Sequence, residues 1–371
     1  MKLFYIANAR IPTEKAHGIQ IMKTCEALSK QGIEVELIVP NRDNNINEDP
    51  FYYYKIERNF NIKKIYSPDL VRFGKAGVLF QYLFFSWVSL FYCLKGKVDF
   101  FYSRDELPIW FLSLFGKKVF WESHNGKWNF LVSSIVKRAS GTVTISQGIK
   151  NFFINKGIKE DKIFVSPDAV DLKDHVGTTK DEARKKVGLP SDKKIILYTG
   201  HLYGWKGVNT LAESAKSFDE MNLFVFVGGT EGDVNSFKQK YSDTKNILVL
   251  GQKPHSDIPL YLSSADVLVL PNSGKEDISR LYTSPMKLFE YMASGRPIIA
   301  SNLPSIREIL NEDNAVFFES DNPGDLSRSI KKVLGDKELG DRISKQSLLD
   351  VKKYTWENRA KNIINFINAK R

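Results

Sequence analysis

The stretch Ser284-Pro285-Met286-Lys287-Leu288-Phe289-Glu290-Tyr291-Met292-Ala293-Ser294-Gly295-Arg296-Pro297 reads as one short helix with both ends marked. Ser284 suits the N-cap, and Pro285 suits the first helical position, where a missing N–H costs nothing. Leu288 with Met292, and Phe289 with Ala293, stand four apart and form an apolar stripe. Gly295 stops the helix and Pro297 confirms the stop. The strand Ile298-Ile299-Ala300-Ser301 follows, and Leu270-Pro271 closes a strand before it. A helix N-terminus therefore opens near a strand end, where α/β sheets bind anions. Glu290 lies roughly 8 Å from that terminus at 1.5 Å per residue. The spacing suits a ligand with phosphates at one end and a sugar diol further along. A core helix carrying one solvated glutamate is the competing reading.

The rest of the chain is a series of strand–helix units. Residues 2–7 read as a strand, followed by a long loop from Asn8 to Gly18, a helix from Ile19 to Gln31 and a strand over Ile33–Pro40. Such βαβ units carry ligand loops at the carboxyl ends of their strands, and a long loop there is usually functional. Residues 41–65 are a polar connection. Further strands are expected at 98–102, 118–121, 141–145 and 163–165. After a polar, charged connection from Leu172 through Val176 to about 192, a second series follows, with strands at 194–199, 223–227, 247–250, 266–270, 298–301 and 316–318. The expected fold class is α/β, with two Rossmann-like domains facing each other across a cleft. Their expected extents are 1–172 and 173–354, with a last helix over about 355–371 returning to the first domain.

The chain has 371 residues, 42% hydrophobic and 26% charged, which are globular values for two domains of ordinary size. Cys25 and Cys93 belong to no metal or disulfide pattern, which points to a reducing cytoplasmic setting. The N-terminal apolar run is too short for a signal peptide. Residues 51–150 hold 15 Lys and Arg against 6 Asp and Glu, a local charge of +9 out of +11. An anionic partner is implied: a membrane surface, nucleic acid or a charged substrate. Nucleic acid is disfavoured, because no recognition motif is present. The apolar run Val78–Leu94 has 17 residues, short of the roughly 20 that span a bilayer. It reads as a buried crossover helix, as a helix dipping one face into a membrane, or as a span.

The candidate polar residues gather at strand ends: His17 and Gly18, Arg104, Glu122 and His124, Ser146, Lys206, and Glu290. Lys206 follows a glycine-bearing loop at a helix start, where a lysine is a fixed cation for phosphate. The loop is neither GxxxxGK[ST] nor GxGxxG. No DxD carboxylate pair is evident, so no metal is expected and phosphate neutralisation is expected from Lys206 and helix termini.

Together these stretches resemble the retaining GT-B glycosyltransferases of family 4 (group 1). The resemblance rests on Ile11–Gly18, Trp121-Glu122-Ser123-His124, Ile145-Ser146, Gly200-His201-Leu202 with Lys206-Gly207, Ser284–Gly295, and Tyr354-Thr355-Trp356-Glu357. It implies a nucleotide-diphosphate sugar on the C-terminal domain and an acceptor on the N-terminal domain. Lys206 and the amides of Ser284, Met286 and Lys287 would hold the diphosphate, with Pro285 among the donor contacts. Glu290 would take the ribose, and Lys253 and Pro254 would lie at the base. Gly18 would approach the diphosphate, His124 the transferred sugar, and His17, Arg104 and Glu122 the acceptor side. Two departures stand out. Tyr282 occupies the place of a frequent glutamate, so Tyr282 and Thr283 would meet the sugar through hydroxyls or backbone. His201 stands where the family often has arginine, which removes a permanent charge.

Transfer passes through an oxocarbenium-like state, and the protein's task is to stabilise charge on the leaving group. No carboxylate pair suggests double displacement, and the resemblance implies front-face attack with retention. The expected enzyme is a metal-independent hexosyltransferase acting on a lipid-linked or cell-surface glycan such as lipopolysaccharide or capsule. It needs no cofactor beyond the donor, and is placed in the cytoplasm, peripheral to an anionic membrane. A non-hydrolysing nucleotide-sugar 2-epimerase and a non-catalytic partner subunit are the alternatives.

Overall fold

The computed structural model describes residues 1–175 and 177–370; Val176, in the expected connection, and Arg371, at the end of the expected last helix, lie outside them. The chain divides into two compact units, Met1–Pro167 with Trp356–Arg371, and Asp168–Thr355. The first break thus falls before Asp168 rather than after Leu172. Local bonding explains the shift. The Asp168 N–H donates to Ser284 Oγ at 3.1 Å, the Val170 N–H donates to the Tyr354 carbonyl at 3.0 Å, and Val170 is buried in the second unit's core.

In the first unit seven parallel strands form one sheet. They are β1 (Lys2–Ile6), β2 (Glu34–Asn41), β3 (Asn61–Tyr66), β4 (Phe100–Ser103), β5 (Val119–Ser123), β6 (Gly141–Thr144) and β7 (Ile163–Val165), in the order β3-β2-β1-β4-β5-β6-β7. The polar connection expected at 41–65 instead contains a helical turn, Pro50–Tyr53, and the edge strand β3. Only Ile65 of β3 is fully buried, so the strand lacks the apolar alternation that would mark it. The first helix runs Ala16–Lys30 and starts before the expected Ile19, which places His17 and Gly18 in its first turn.

The apolar run 78–94 lies within a longer helix, Gly74–Lys95, continuous with a 3-10 turn at Val71–Phe73. By length and composition Val71–Lys95 could cross a membrane. Its polarity is inverted, however. Gln81, Ser86 and Ser89 face the protein, with Gln81 Nε2 donating to Asn8 Oδ1 at 2.9 Å and to Ser67 Oγ at 3.1 Å. Phe80, Trp87 and Phe91 face outward, 54%, 51% and 54% exposed.

The second unit has six parallel strands: β8 (Lys194–Thr199), β9 (Asn222–Val227), β10 (Ile247–Gly251), β11 (Val267–Leu270), β12 (Ile298–Ser301) and β13 (Val316–Phe318). Their order is β10-β9-β8-β11-β12-β13. The strand order reverses between β1 and β4 in the first unit and between β8 and β11 in the second. Doubly wound sheets bind ligands outside the carboxyl ends of such strand pairs. The terminal helix Trp356–Asn368 belongs to the first unit, where Phe366 stacks on Phe164 at 5.3 Å and meets Phe120 at 6.2 Å.

The helix that follows β11 runs Met286–Ala293 and buries Leu288, Phe289, Tyr291, Met292 and Ala293. Burying each large apolar side chain stabilises by about 1.5–3 kcal/mol. Gly295 ends the helix at φ +66°, in the left-handed region that glycine enters freely. The expected cap does not form. Pro285 keeps extended dihedrals (φ −76°, ψ 127°) and itself occupies the cap position, with no side-chain cap. Ser284 is drawn away because its hydroxyl accepts the Asp168 N–H.

Candidate active site

The first unit gathers His17, Arg104, Glu122 and His124 at the carboxyl ends of β1, β4 and β5. Glu122 is fully buried, accepts from three groups and is ion-paired with a fourth. Gln20 Nε2 donates to Oε1 at 2.6 Å and His124 Nε2 at 2.7 Å, the Tyr102 hydroxyl donates to Oε2, and Arg359 Nη2 forms an ion pair with Oε1 at 3.0 Å. Burial alone would raise this carboxyl. Arg359, then His124 and Tyr102, outweigh burial and hold it well below the usual carboxylate range. With both oxygens engaged and no exposed surface, Glu122 orients its neighbours. It does not meet an acceptor directly, as the sequence suggested.

His124 is pushed down to about 4, by burial first and then by Arg104, against the pull of Glu122. The ring is therefore neutral at physiological pH. An ionised carboxylate only accepts, so the ring proton sits on Nε2 and leaves Nδ1 as an acceptor. That arrangement can receive a hydroxyl hydrogen. His17 is likewise pushed to about 4, by burial, Arg104 and Lys15. Arg104 Nη1 donates to Gln20 Oε1 at 2.9 Å, which joins it to the Glu122 network. Ser146 caps the helix Gln147–Asn155, its hydroxyl accepting the Ile149 N–H at 3.3 Å.

Gly18 answers to packing inside the unit as well as to any ligand. A Cβ there would collide with the Tyr54 hydroxyl and with Thr13. That hydroxyl accepts the Thr13 N–H at 2.7 Å and donates to the Thr13 carbonyl at 2.8 Å, which fixes the loop ahead of His17.

In the second unit the loop after β8 carries His201, stacked on Tyr203 at 4.8 Å, and Lys206, whose Nζ lies 3.8 Å from the Trp205 ring centroid. Burial pushes Lys206 down to about 8. Gly207 follows at φ +73°, and a Cβ there would collide with the Pro271 carbonyl at the end of β11. Only glycine lets this loop lie against the strand-order reversal. The helix Met286–Ala293 docks on the same strand end, where the Thr199 N–H donates to the Tyr291 hydroxyl at 2.8 Å. Among the described residues the amides of Met286 and Lys287 meet no acceptor.

Glu290 is paired: His255 Nε2 lies 2.8 Å from Oε1. Burial would raise the Glu290 carboxyl, but His255, His175 and Lys287 hold it below its ordinary value. Lys253 and Pro254 sit between β10 and His255, so the expected base loop and Glu290 share one neighbourhood. Tyr282 and Thr283 lie between the short helix Asp277–Arg280 and the cap, half-buried. Among the described residues no three of His, Cys, Asp and Glu stand together as metal ligands.

The structure thus forms two clusters, one on each unit, and adds residues that the sequence reading missed. Gln20, Tyr102 and Arg359 join Glu122, while His175, His255 and Lys287 join Glu290. Arg359 lay in a helix whose pattern offered no sign of a buried arginine. Lys287 lay within the most specific stretch, but only its backbone amide was read as a donor contact.

Residues 18–174 match the family described as Glycosyltransferase Family 4, and residues 179–349 match Glycosyl transferases group 1. An uncharacterized glycosyltransferase of Methanocaldococcus jannaschii is 26% identical over 49% of this chain and 46% of its own length. A lipopolysaccharide 1,2-N-acetylglucosaminetransferase of Salmonella typhimurium is 24% identical over 58% of each chain. The chain spans about half the length of the curated relatives it matches. Anabaena HepE in complex with UDP-glucose superimposes with a TM-score of 0.77, at 14% identity and over all of both chains, a likeness of fold. The two matched families, read with two parallel doubly wound sheets, show that the chain belongs to the family 4, group 1 glycosyltransferases, a retaining family of GT-B fold.

Proposed function

We propose that this protein moves a hexosyl group, with retention, from a nucleotide-diphosphate sugar to a lipid-linked or cell-surface glycan. The observation that carries the reading is the meeting of Lys206 with the unpaired first-turn amides of Met286–Ala293 at the strand-order reversal of the second unit. An N-terminal helix dipole, free N–H groups and a half-buried ammonium together favour a diphosphate. Glu290, ionised and one turn further, suits the ribose hydroxyls, with Lys253 and Pro254 toward the base and Tyr282 and Thr283 toward the sugar. The bond from the anomeric carbon to the diphosphate oxygen breaks as Lys206 and the amides take up the growing charge. The acceptor hydroxyl forms the new bond from the same face and passes its proton to the leaving phosphate. His124, with Nδ1 open, holds a sugar hydroxyl, and His17 and Arg104 belong to the acceptor side. The HepE complex with UDP-glucose supports a uridine nucleotide as the first donor to try.

The outward apolar face of Gly74–Lys95, the +9 charge of residues 51–150 and exposed Phe115 and Phe130 support peripheral attachment to an anionic bilayer. Incubation with UDP-, GDP- and ADP-sugars and a lipid-linked glycan extract tests the transfer. Labelled sugar should enter the lipid fraction, and Lys206→Ala should abolish it. Isomerised donor without an acceptor would overturn the reading. For the membrane, Trp87→Asp should reduce sedimentation with anionic vesicles; unchanged sedimentation in that variant would count against this surface.

A further inference from the structure

The charge around the helix Met286–Ala293 is unbalanced in the free protein. Lys287 stands in the first turn, where the helix's partial positive charge disfavours a cation, and no acidic residue occupies that turn. Its Nζ donates to the Thr199 carbonyl at 3.2 Å and lies 3.9 Å from the Tyr198 ring centroid, so the chain is folded inward over the end of β8. Lys206 comes to the same strand end from the β8 loop. Among the described residues neither ammonium has a carboxylate at ion-pair distance. Glu290, the nearest acid on the helix, is engaged by His255 at 2.8 Å.

Two lysines, two unpaired amides and a helix N-terminus therefore converge with no anion to balance them. We propose that Lys287 is the second cation of the diphosphate-binding site, acting with Lys206 and supplying the charge that a histidine at position 201 does not hold permanently. The proposal rests on the donor reading above and extends it to a residue outside the amide-and-Lys206 set. Its electrostatics give it a particular signature. Burial, and then the Lys206 ammonium, hold Lys287 well below the usual lysine range, while Glu290 pulls the other way. Tyr198 and the Thr199 carbonyl are its remaining close neighbours. A diphosphate between the two lysines reverses the sign of the local field. The charged form of Lys287 is then favoured over its state in the free protein, and binding is linked to proton uptake.

Isothermal titration of the full chain with UDP, GDP and ADP, in buffers of different ionisation enthalpy between pH 7 and 9, reads this directly. The nucleotide that binds should bring net proton uptake that grows with pH. Lys287→Met should weaken that nucleotide at least tenfold and reduce the uptake to the share that Lys206 supplies, while the parent nucleoside binds both proteins alike. Lys287→Arg should keep the affinity within a few fold and reduce the uptake to the share that Lys206 supplies, because guanidinium stays charged; it decides the matter if the methionine variant folds poorly. Undiminished affinity and uptake in Lys287→Met, or uptake in Lys287→Arg as large as in the unaltered chain, would overturn the proposal. Failure of all three nucleotides to bind the unaltered chain would remove the donor reading on which it rests.

Discussion

Arg359, on the terminal helix, lies 3.0 Å from the Glu122 carboxylate at the end of β5, and both side chains are buried. Arg359 Nε also donates to the Pro167 carbonyl at 2.9 Å, and Nη1 to Thr24 Oγ1 at 3.3 Å. A residue from the end of the chain thereby holds the carboxylate that orients His124. Breaking a buried pair leaves an uncompensated charge and costs about 3–5 kcal/mol. Arg359→Met should therefore lower the unfolding free energy of the first unit by that amount, read from urea titration. Replacing both partners, in Arg359→Met with Glu122→Gln, should recover part of the loss. Equal loss in the single and double variants would show that the pair is not the source.

His124 predicts an acid-side slope in stability. In the unfolded chain its ring takes a proton near 6.5, whereas in the folded chain it does so at about 4. Between those values the unfolded state binds more protons, so stability falls as pH drops from 6.5 to 4. The gap corresponds to roughly 3 kcal/mol. Glu122, held low, adds its own loss only below its ordinary value near 4.5, so the two windows are separable. Denaturant titrations at half-unit pH steps should show the slope, and His124→Asn should flatten most of its share. His17, also at about 4, leaves a residual slope. An unchanged profile in His124→Asn would mean that the ring is not the proton acceptor.

The alternation of apolar strands and helices made both sheets legible, because parallel strands buried on two faces are continuous apolar runs. β3 was not legible: Asn61-Ile62-Lys63-Lys64-Ile65-Tyr66 is an edge strand, and its polarity matches a loop. The strand-end rule placed His17, Arg104, Glu122 and His124 together at the carboxyl ends of β1, β4 and β5, three neighbouring strands of which the first two flank the reversal of order. It could not assign Glu122 its role, which depends on Gln20, Tyr102 and Arg359 arriving from elsewhere in the chain. Ser284 misled because a hydroxyl before a proline-started helix is usually a cap, and a backbone amide distant in sequence, that of Asp168, captured it instead. The inward turn of Lys287 is likewise a tertiary fact, set by the docking of Tyr291 on Thr199.

Lys206, pushed to about 8 by burial, predicts that nucleotide affinity weakens as pH rises through that value. Its ammonium is the binding form, and it is progressively lost above pH 8 in the free protein. Hydrogen bonds to charged groups contribute about 1.5–3 kcal/mol, so Lys206→Met should weaken binding roughly 10- to 150-fold at neutral pH. The variant's affinity should also vary less between pH 7 and 9, with Lys287 supplying what dependence remains. Thermal-shift titration of both proteins across that range is sufficient. A wild-type affinity that rises with pH would contradict the assignment.

Glu290 carries the last prediction. Held below its ordinary value and paired with His255, it is ionised at physiological pH and can only accept hydrogen bonds. A ribose diol offers two hydroxyl hydrogens, whereas a 2′-deoxyribose offers one. The unaltered protein should therefore prefer the ribonucleotide over its 2′-deoxy counterpart by roughly tenfold or more, the value of one hydrogen bond to a charged acceptor. Glu290→Gln should bind the ribonucleotide more weakly and the deoxynucleotide nearly as before, shrinking that preference to a few fold. Folding should be little affected, because the glutamine carbonyl keeps an acceptor for the half-exposed His255 in a side chain of the same shape. If Glu290→Gln weakened both nucleotides equally, the carboxylate would be supporting the site as a whole, and the ribose contact would have to be sought on another residue of the second unit.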